Sequence, residues 1–131
     1  MAGYTKLNLK EDVEDQAPNY DMSPQLEFRV ARTPLETEKA AISYLRVAPN
    51  FRLPFGHTHG EQEEVYVLVG GSARIKLDDE VLELKPLDAV RIHKNTMRNF
   101  EGGPEGAEVL AIGAPNTGPG DGPMTQDWWT D

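Results

Sequence analysis

Residues 55–71 of the chain read FGHTHGEQEEVYVLVGG, a stretch that joins a pair of histidines to a run of apolar residues. His57 and His59 are two of the three histidines in the chain. Residues two positions apart face the same side of a β-strand, whereas in a helix they face nearly opposite sides. The two imidazoles therefore converge on one point only if the surrounding chain forms β structure.

The rest of the sequence favours β structure. Several short segments are rich in β-branched and aromatic residues, and no longer window has a 3.6-residue apolar period. Asp78-Asp79 resembles a hairpin turn, and Gly102-Gly103-Pro104 is interpreted as a break between segments. The pattern predicts an all-β sandwich or small barrel. The segments are LEFRVA (26–31), AAISYLRVA (40–48), EVYVLVG (64–70), SARIKL (72–77), VLEL (81–84), AVRI (89–92) and AEVLAIG (107–113).

The chain of 131 residues is long enough for one domain with a single core. We expect an N-terminal arm over about residues 1–24, a barrel over about 25–114 and a C-terminal tail over about 115–131. The arm carries a run of charges and is interpreted as a solvated segment laid over the domain. The tail holds Trp128 and Trp129. We expect it to fold back so that at least one indole packs on the barrel; the alternative is an aromatic lid or a dimer contact.

Composition excludes several classes of function. A formal net charge of −9 disfavours nucleic acid and anionic membrane surfaces as partners. The longest apolar run, Val65–Val69, is far too short for a membrane helix, and the first residues do not resemble a signal peptide. The absence of cysteine excludes thiol catalysis, thiolate metal sites and disulfides, and it fits a reducing cytoplasm, where we expect the protein to work.

Glu64 adds a carboxylate to the histidine pair. It begins the apolar strand and shares one face with Tyr66 and Leu68. If the strand with the histidines lies near this point, two imidazoles and one carboxylate stand together, a set that suits Zn, Ni, Mn or Fe with open coordination positions. In the alternative interpretation, both histidines are polar loop residues and the acidic cluster is a solvated turn.

The spacing His57-x-His59-x4-Glu64-x6-Gly71 resembles the first motif of the cupin family. Arg52 stands where that motif begins with glycine. The resemblance implies that His57, His59 and Glu64 are metal ligands.

A second block, residues 84–100, is similar to the second cupin motif. Leu87 and Asn95 replace its two glycines, and we expect Asn95 to be tolerated at a positive φ angle. His93 replaces its proline and is interpreted as a satisfied surface or rim histidine. The motif's aspartate and apolar positions are matched by Asp88, Val90 and Ile92. The two motifs together imply a small single-domain cupin, with a jelly-roll barrel that is also called a double-stranded β-helix.

Arg98 occupies the position at which cupins carry their third metal-binding histidine. Two outcomes remain open. In one, a divalent metal stays on His57, His59 and Glu64 while Arg98 holds an anionic substrate. In the other, Arg98 pairs with Glu64, replaces the metal electrostatically and leaves a metal-free pocket.

The resemblance implies a small polar or anionic ligand, but it does not select between a binding module, a structural relic and an enzyme. For an enzyme, we expect a metal-dependent oxygenase, isomerase or lyase. Arg98, Tyr44 and Tyr66 are then the candidate substrate-binding residues, and retention of the three ligands favours the metal. Because small cupins commonly pair, we also expect a homodimer.

Overall fold

The structure, a computed structural model, describes residues 3–58, 63–114 and 124–130. It confirms the expected all-β class. Its helical elements are a 3₁₀ turn at Ala17–Tyr20 and the helix α1 at Arg32–Leu35. The strands are β1 (Leu26–Val30), β2 (Ala41–Val47), β3 (Phe55–His57), β4 (Glu64–Leu77), β5 (Glu80–Leu84), β6 (Ala89–Ile92), β7 (Arg98–Gly113) and β8 (Met124–Gln126). No helix in the described ranges is long and apolar enough to cross a membrane.

Two long strands, β4 and β7, form the centre of the fold. They pair antiparallel with each other over most of their length. The first half of β4 also pairs with β6 and its second half with β5, while β2 and β3 pair with opposite ends of β7. Strands β1 and β8 complete the edges beside β2 and β3. The sheet therefore curls into a jelly roll whose two halves share β4 and β7.

Both long strands bend at a glycine with a positive φ angle. Gly71 has a φ of 73° and Gly106 a φ of 79°. A Cβ atom added to Gly71 would lie 2.0 Å from the carbonyl oxygen of Gly106, so only glycine permits this approach of the two backbones. Gly71 is the last residue of the first sequence motif, and its role is to let the strands cross from one half of the roll to the other.

The predicted strand positions agree with β1, β2, β5 and β6, and the hairpin at Asp78-Asp79 is confirmed because Leu77 pairs with Glu80. The break predicted at Gly102-Gly103-Pro104 is wrong, since β7 runs through it. Its glycines fit a crowded strand, because a Cβ on Gly102 would lie 2.4 Å from the Ala48 carbonyl oxygen. The segments at 64–70 and 72–77 form one bent strand rather than two.

The N-terminal arm is less solvated than expected. It lies against the sheet, with Val13 buried and with Ala17 and Met22 inside the hydrophobic core. Asp15 fixes it there by accepting the backbone N–H of Phe28 at 2.9 Å. The rest of the core comes from alternating strand residues: Leu26, Val47, Leu53, Tyr66, Leu68, Ala73, Ile75, Leu84, Ile92, Phe100, Ala107, Val109 and Ala111.

The described part of the tail, residues 124–130, packs on the barrel, as predicted for at least one of its indoles. Trp129 is only 4 % exposed, and the guanidinium of Arg52 lies 4.1 Å from its ring centre. Arg52 also donates to the Trp129 carbonyl oxygen at 3.0 Å. Trp128 packs against Gly56, where an added Cβ would lie 2.6 Å from the indole. The indole of Trp129 therefore packs against its own barrel.

Leu87 and Asn95, which stand where the second motif has glycine, behave differently. Asn95 does not adopt a positive φ, contrary to expectation, because the turn before β7 closes through a bond from the Thr96 N–H to the His93 carbonyl at 3.0 Å. Leu87 does adopt one, with a φ of 75° in the turn between β5 and β6. Its side chain is 80 % exposed and gains little from packing.

Replacing Leu87 with glycine should therefore stabilise the protein. Relief of the left-handed strain is worth about 1–2 kcal/mol, and the greater freedom of glycine in the unfolded chain cancels about 0.4–1 kcal/mol of it. We expect Leu87→Gly to unfold at a higher urea concentration than wild type. Leu87→Ala keeps the Cβ and is the matched control. A Leu87→Gly variant no more stable than Leu87→Ala would show that this turn is unstrained.

Candidate functional site

Strand pairing brings four of the candidate side chains to one side of the sheet. His57 on β3 lies directly across from Arg98, the first residue of β7. Glu64, the first residue of β4, reaches Arg98 with a separation of 2.8 Å between Oε1 and Nη1. Tyr66 lies two positions along β4 and donates its hydroxyl to the same Glu64 oxygen at 2.8 Å. Tyr66, Glu64 and Arg98 thus form a continuous hydrogen-bonded chain inside the barrel.

Arg98 is held by other bonds besides its ion pair with Glu64. Its side chain is completely buried. Nε and Nη2 donate to the Thr96 carbonyl oxygen at 3.2 and 2.9 Å, and Nη2 donates to the His93 carbonyl oxygen at 3.0 Å. The guanidinium therefore fastens the turn at 93–96 to Glu64 on β4. Arg98 also makes a side-chain hydrogen bond with Tyr66, so the guanidinium is bonded to both other side chains of the interior group.

Tyr66 is locked in its neutral form. Burial raises the pKa of its phenol well above the usual value, and the negative charge of Glu64 raises it further, while Arg98 partly opposes both effects. The ring packs edge-on against Phe100 with centroids 4.8 Å apart. Phe100 is two residues beyond Arg98 on β7, so the period-two pattern of a strand is the sequence signal that identifies it as a neighbour of the site.

The predicted metal ligands are described only in part. His59 lies outside the described residues, and His57 is partly buried with its ring centroid 6.2 Å from that of Phe55. In the described ranges, no group of three His, Asp or Glu side chains is arranged to hold a metal ion. The three-ligand site with His59 therefore stays a prediction.

Tyr44 is not brought to this site. It lies across from Leu110 on the outer face of the sheet, and its hydroxyl donates to Glu108 Oε2 at 2.6 Å. Burial raises the pKa of Tyr44 far above its usual value, with a further contribution from Glu108. In the sequence, Tyr44 was a candidate only as a tyrosine near the motifs. Side chains alternate along β2, so Tyr44 faces the side opposite to Val47, whose side chain lies in the interior.

His93 is exposed, as predicted. Its Nδ1 accepts the backbone N–H of Asn95 at 3.2 Å. What the sequence did not indicate is the role of its backbone, since the His93 carbonyl is one of the acceptors for Arg98. Arg52, at the leading position of the first motif, pairs with Glu101 at 2.8 Å and belongs to the contact with Trp129 rather than to the interior site.

A double-mutant cycle should show strong coupling between Arg98 and Glu64. Breaking a buried pair from either side costs about 3–5 kcal/mol, because an unpaired charge remains. Arg98→Met and Glu64→Gln should each destabilise strongly, while the double variant should lose less than the sum by about 2 kcal/mol. Urea denaturation measures the four unfolding free energies. Purely additive losses would mean that Arg98 acts only through the carbonyls of His93 and Thr96.

Alkaline titration should separate the tyrosines into two groups. Tyr44 and Tyr66 have folded-state pKa values above those of the unfolded chain. Their neutral forms therefore contribute stability that is complete below pH ~10 and is lost as pH rises further. Tyrosinate absorbance counts the ionised tyrosines, and circular dichroism follows unfolding. We expect two of the four tyrosines to ionise only at the pH at which the protein unfolds. Tyr66→Phe should move unfolding to higher pH; ionisation of all four before unfolding would contradict the burial.

Comparison with known proteins supports the fold. No protein-family model matches the sequence, and no curated protein matches it. A cupin protein from Bacteroides fragilis matches with 21 % identity and a TM-score of 0.71, over 92 % of this chain and 91 % of that one. A polyketide cyclase from Streptomyces resistomycificus matches with 21 % identity and a TM-score of 0.73, over 97 % and 88 %.

A Streptomyces nucleoside dehydratase, solved as a variant with uridine, matches with 16 % identity and a TM-score of 0.70, over 93 % of this chain and 92 % of that one. At this level of identity the likeness concerns the fold, and it agrees with the jelly roll built on β4 and β7. The chain therefore has the cupin fold, a double-stranded β-helix.

Proposed function

We propose that this cupin-fold protein works without a metal ion and that the buried Arg98 guanidinium supplies the positive charge of its interior site. The site binds a small polar molecule through a carbonyl or carboxylate oxygen. The observation that carries the proposal is the ion pair between Arg98 and Glu64. It is the second of the two outcomes that the sequence leaves open.

The position of Arg98 supports a metal-free site. A divalent ion bound to Glu64 would lie about 5 Å from the guanidinium, and at an effective dielectric constant of ~20 the repulsion is about 7 kcal/mol. Arg98 is enclosed and tied to two backbone carbonyls, so it has no exposed position to retreat to. Glu64 Oε1 already accepts bonds from Arg98 and Tyr66. The residues present therefore suit an arginine site better than a metal site.

The chemistry of the three groups supports acid–base work rather than redox work. The phenol of Tyr66 stays protonated and is a hydrogen-bond donor, while the carboxylate of Glu64 is an acceptor and a base. The positive charge of the Arg98 guanidinium can stabilise negative charge on a ligand oxygen. Among the enzyme classes considered from the sequence, a lyase or an isomerase needs only an acid, a base and a positive charge. An oxygenase needs redox chemistry as well.

The similar structures support this choice of class. A cyclase and a nucleoside dehydratase are among the proteins that share the fold, and cyclisation and dehydration are both redox-neutral. The near-neutral pair of Arg98 and Glu64 favours an uncharged or singly charged ligand over a multiply charged one, because little net charge is available to compensate it. A small polar molecule with one carbonyl or carboxylate group satisfies both conditions.

Metal titration tests the role of Arg98. Arg98→His supplies an imidazole and removes the repelling charge, so we expect it to bind Zn²⁺ or Ni²⁺ at least ~10-fold more tightly than wild type at neutral pH. Arg98→Met removes the charge without adding a ligand and is the control for the charge alone. Because imidazole binds metal only when neutral, binding by Arg98→His should weaken below pH ~6.5. Calorimetry with untagged protein gives the affinities, and equal binding by wild type would overturn the metal-free site.

A ligand screen tests the binding site itself. Saturation-transfer NMR of wild type with hydroxy acids, keto acids and neutral sugars should find binders that survive treatment with a chelator. The Arg98→Met/Glu64→Gln double variant removes the pair without leaving an unpaired charge, and we expect it to lose binding at least ~10-fold. Val81→Lys, on the outer surface of β5, is the control that should bind normally. Binding that disappears with the chelator, or that persists in the double variant, would contradict the proposal.

A further inference from the structure

Most of the strand pairing of β3 comes from the C-terminal segment. β3 shares one residue pair with β7, that of His57 with Arg98, whereas all three of its residues pair with β8. The contact continues beyond the strands, because the Asp127 N–H donates to the Pro54 carbonyl oxygen at 2.9 Å. The place of β3 in the sheet therefore depends on the segment that carries β8.

β3 forms one wall of the interior site. Residues directly across from each other in an antiparallel pair point to the same side of the sheet, so His57 lies on the side from which Arg98 reaches Glu64. Tyr66, bonded to the same carboxylate, is only 4 % exposed. Phe55 packs against the hydrophobic core and anchors the beginning of β3. If β8 leaves, the end of β3 that carries His57 moves and this side of the site opens.

One buried side chain fastens the C-terminal segment to the barrel. The three residues of β8 are exposed, and among residues 124–130 only Trp129 is buried. Trp129 is nevertheless not a member of the hydrophobic core cluster that fills the barrel. Loss of its contacts would therefore release the segment without removing a side chain from the core.

The surface under Trp129 is a row of charged side chains. Arg74 on β4 lies across from Glu101 on β7, and Arg52 bridges to Glu101 as well. Glu101 pairs with both guanidinium groups, at 2.8 Å for Arg52 and 2.7 Å for Arg74. Their central carbons lie 4.1 and 5.2 Å from the centre of the indole, whose π face attracts cations. The row is held by its own ion pairs and returns to water when the indole leaves, so opening costs less than exposing apolar core.

We propose that residues 124–130 form a strap that opens and closes the interior site, with Trp129 as its latch. In the closed state, which the structure shows, β8 holds β3 against β7. In the open state the indole leaves Arg52 and Arg74, β8 separates from β3, and a small molecule can enter beside His57. The strap differs from the aromatic lid considered from the sequence, because it acts through β3. The proposal does not depend on what the interior site binds.

Amide hydrogen exchange of the full chain, followed by NMR, measures the opening of the strap. The Asp127 N–H crosses from the strap to Pro54, and because bonded pairs alternate along antiparallel strands, Gly56 and Thr125 form the next bonded pair. We expect Trp129→Ala to speed exchange of the amides of residues 56 and 127 at least ~10-fold. Exchange of the Ile75 amide, inside the pairing of β4 with β7, should change much less.

Two further variants separate the latch from the rest of the chain. Gln126→Ala changes an exposed side chain of the strap and should exchange like wild type. Gly56→Ala acts from the other side of the contact, because the added Cβ would lie 2.6 Å from the Trp128 indole. It should push the strap off β3 and speed exchange at Asp127, and it replaces Trp129→Ala if that variant loses its native circular dichroism.

A soluble nitroxide tests whether the strap controls access to the site. The radical broadens the NMR signals of protons that it can approach. The ring signals of Tyr66 should stay sharp in wild type and lose intensity in Trp129→Ala. Tyr44 is equally buried on the other face of the sheet, and its ring should stay sharp in both proteins. Unchanged exchange at Asp127, equal acceleration at Asp127 and Ile75, or faster exchange without broadening at Tyr66 overturns the proposal.

Discussion

The buried ion pair between Arg98 and Glu64 is the interaction on which the interior of this fold depends. It joins the start of β7 to the start of β4, and through two carbonyl groups it also fixes the turn that connects β6 to β7. A guanidinium without exposure is tolerated only because these acceptors surround it. The pair thus has two roles at once, since the same contacts that close the barrel set the charge and the hydrogen-bond donors of its interior.

Much of this arrangement follows from the sequence, and the reasons are local. The period of two along β4 predicts that Glu64 and Tyr66 share a face. The resemblance to the two cupin motifs implies that Arg98 lies beside Glu64. The course of β7 through Gly102-Gly103-Pro104 was not predictable in the same way. Glycine and proline usually end strands, and the crowding by Ala48 that explains Gly102 comes from a residue more than fifty positions earlier.

In the site, too, features that depend on neighbouring residues follow from the sequence, and features that depend on distant residues do not. Tyr44 was grouped with Tyr66 because both are tyrosines near the motifs, yet their strands present them to opposite sides of one sheet. Leu87 takes the left-handed conformation that its motif position requires, whereas Asn95 does not, because the turn at 93–96 is closed by its own backbone bond. Residue type alone does not distinguish these cases; the partner across the strand or turn does.

The central place of β7 has a consequence for how the chain acquires its structure during synthesis. β7 occupies residues 98–113 yet supplies the pairing partner of β2 and of both halves of β4. Until the ribosome has released residues 98–113, one edge of β2 and one edge of β4 have no strand beside them, whereas the pairings of β1 with β2 and of β4 with β5 and β6 can already form. The emerging chain therefore exposes open strand edges and the apolar valines of β4 until β7 has been made, which makes it a substrate for chaperones that shield such segments.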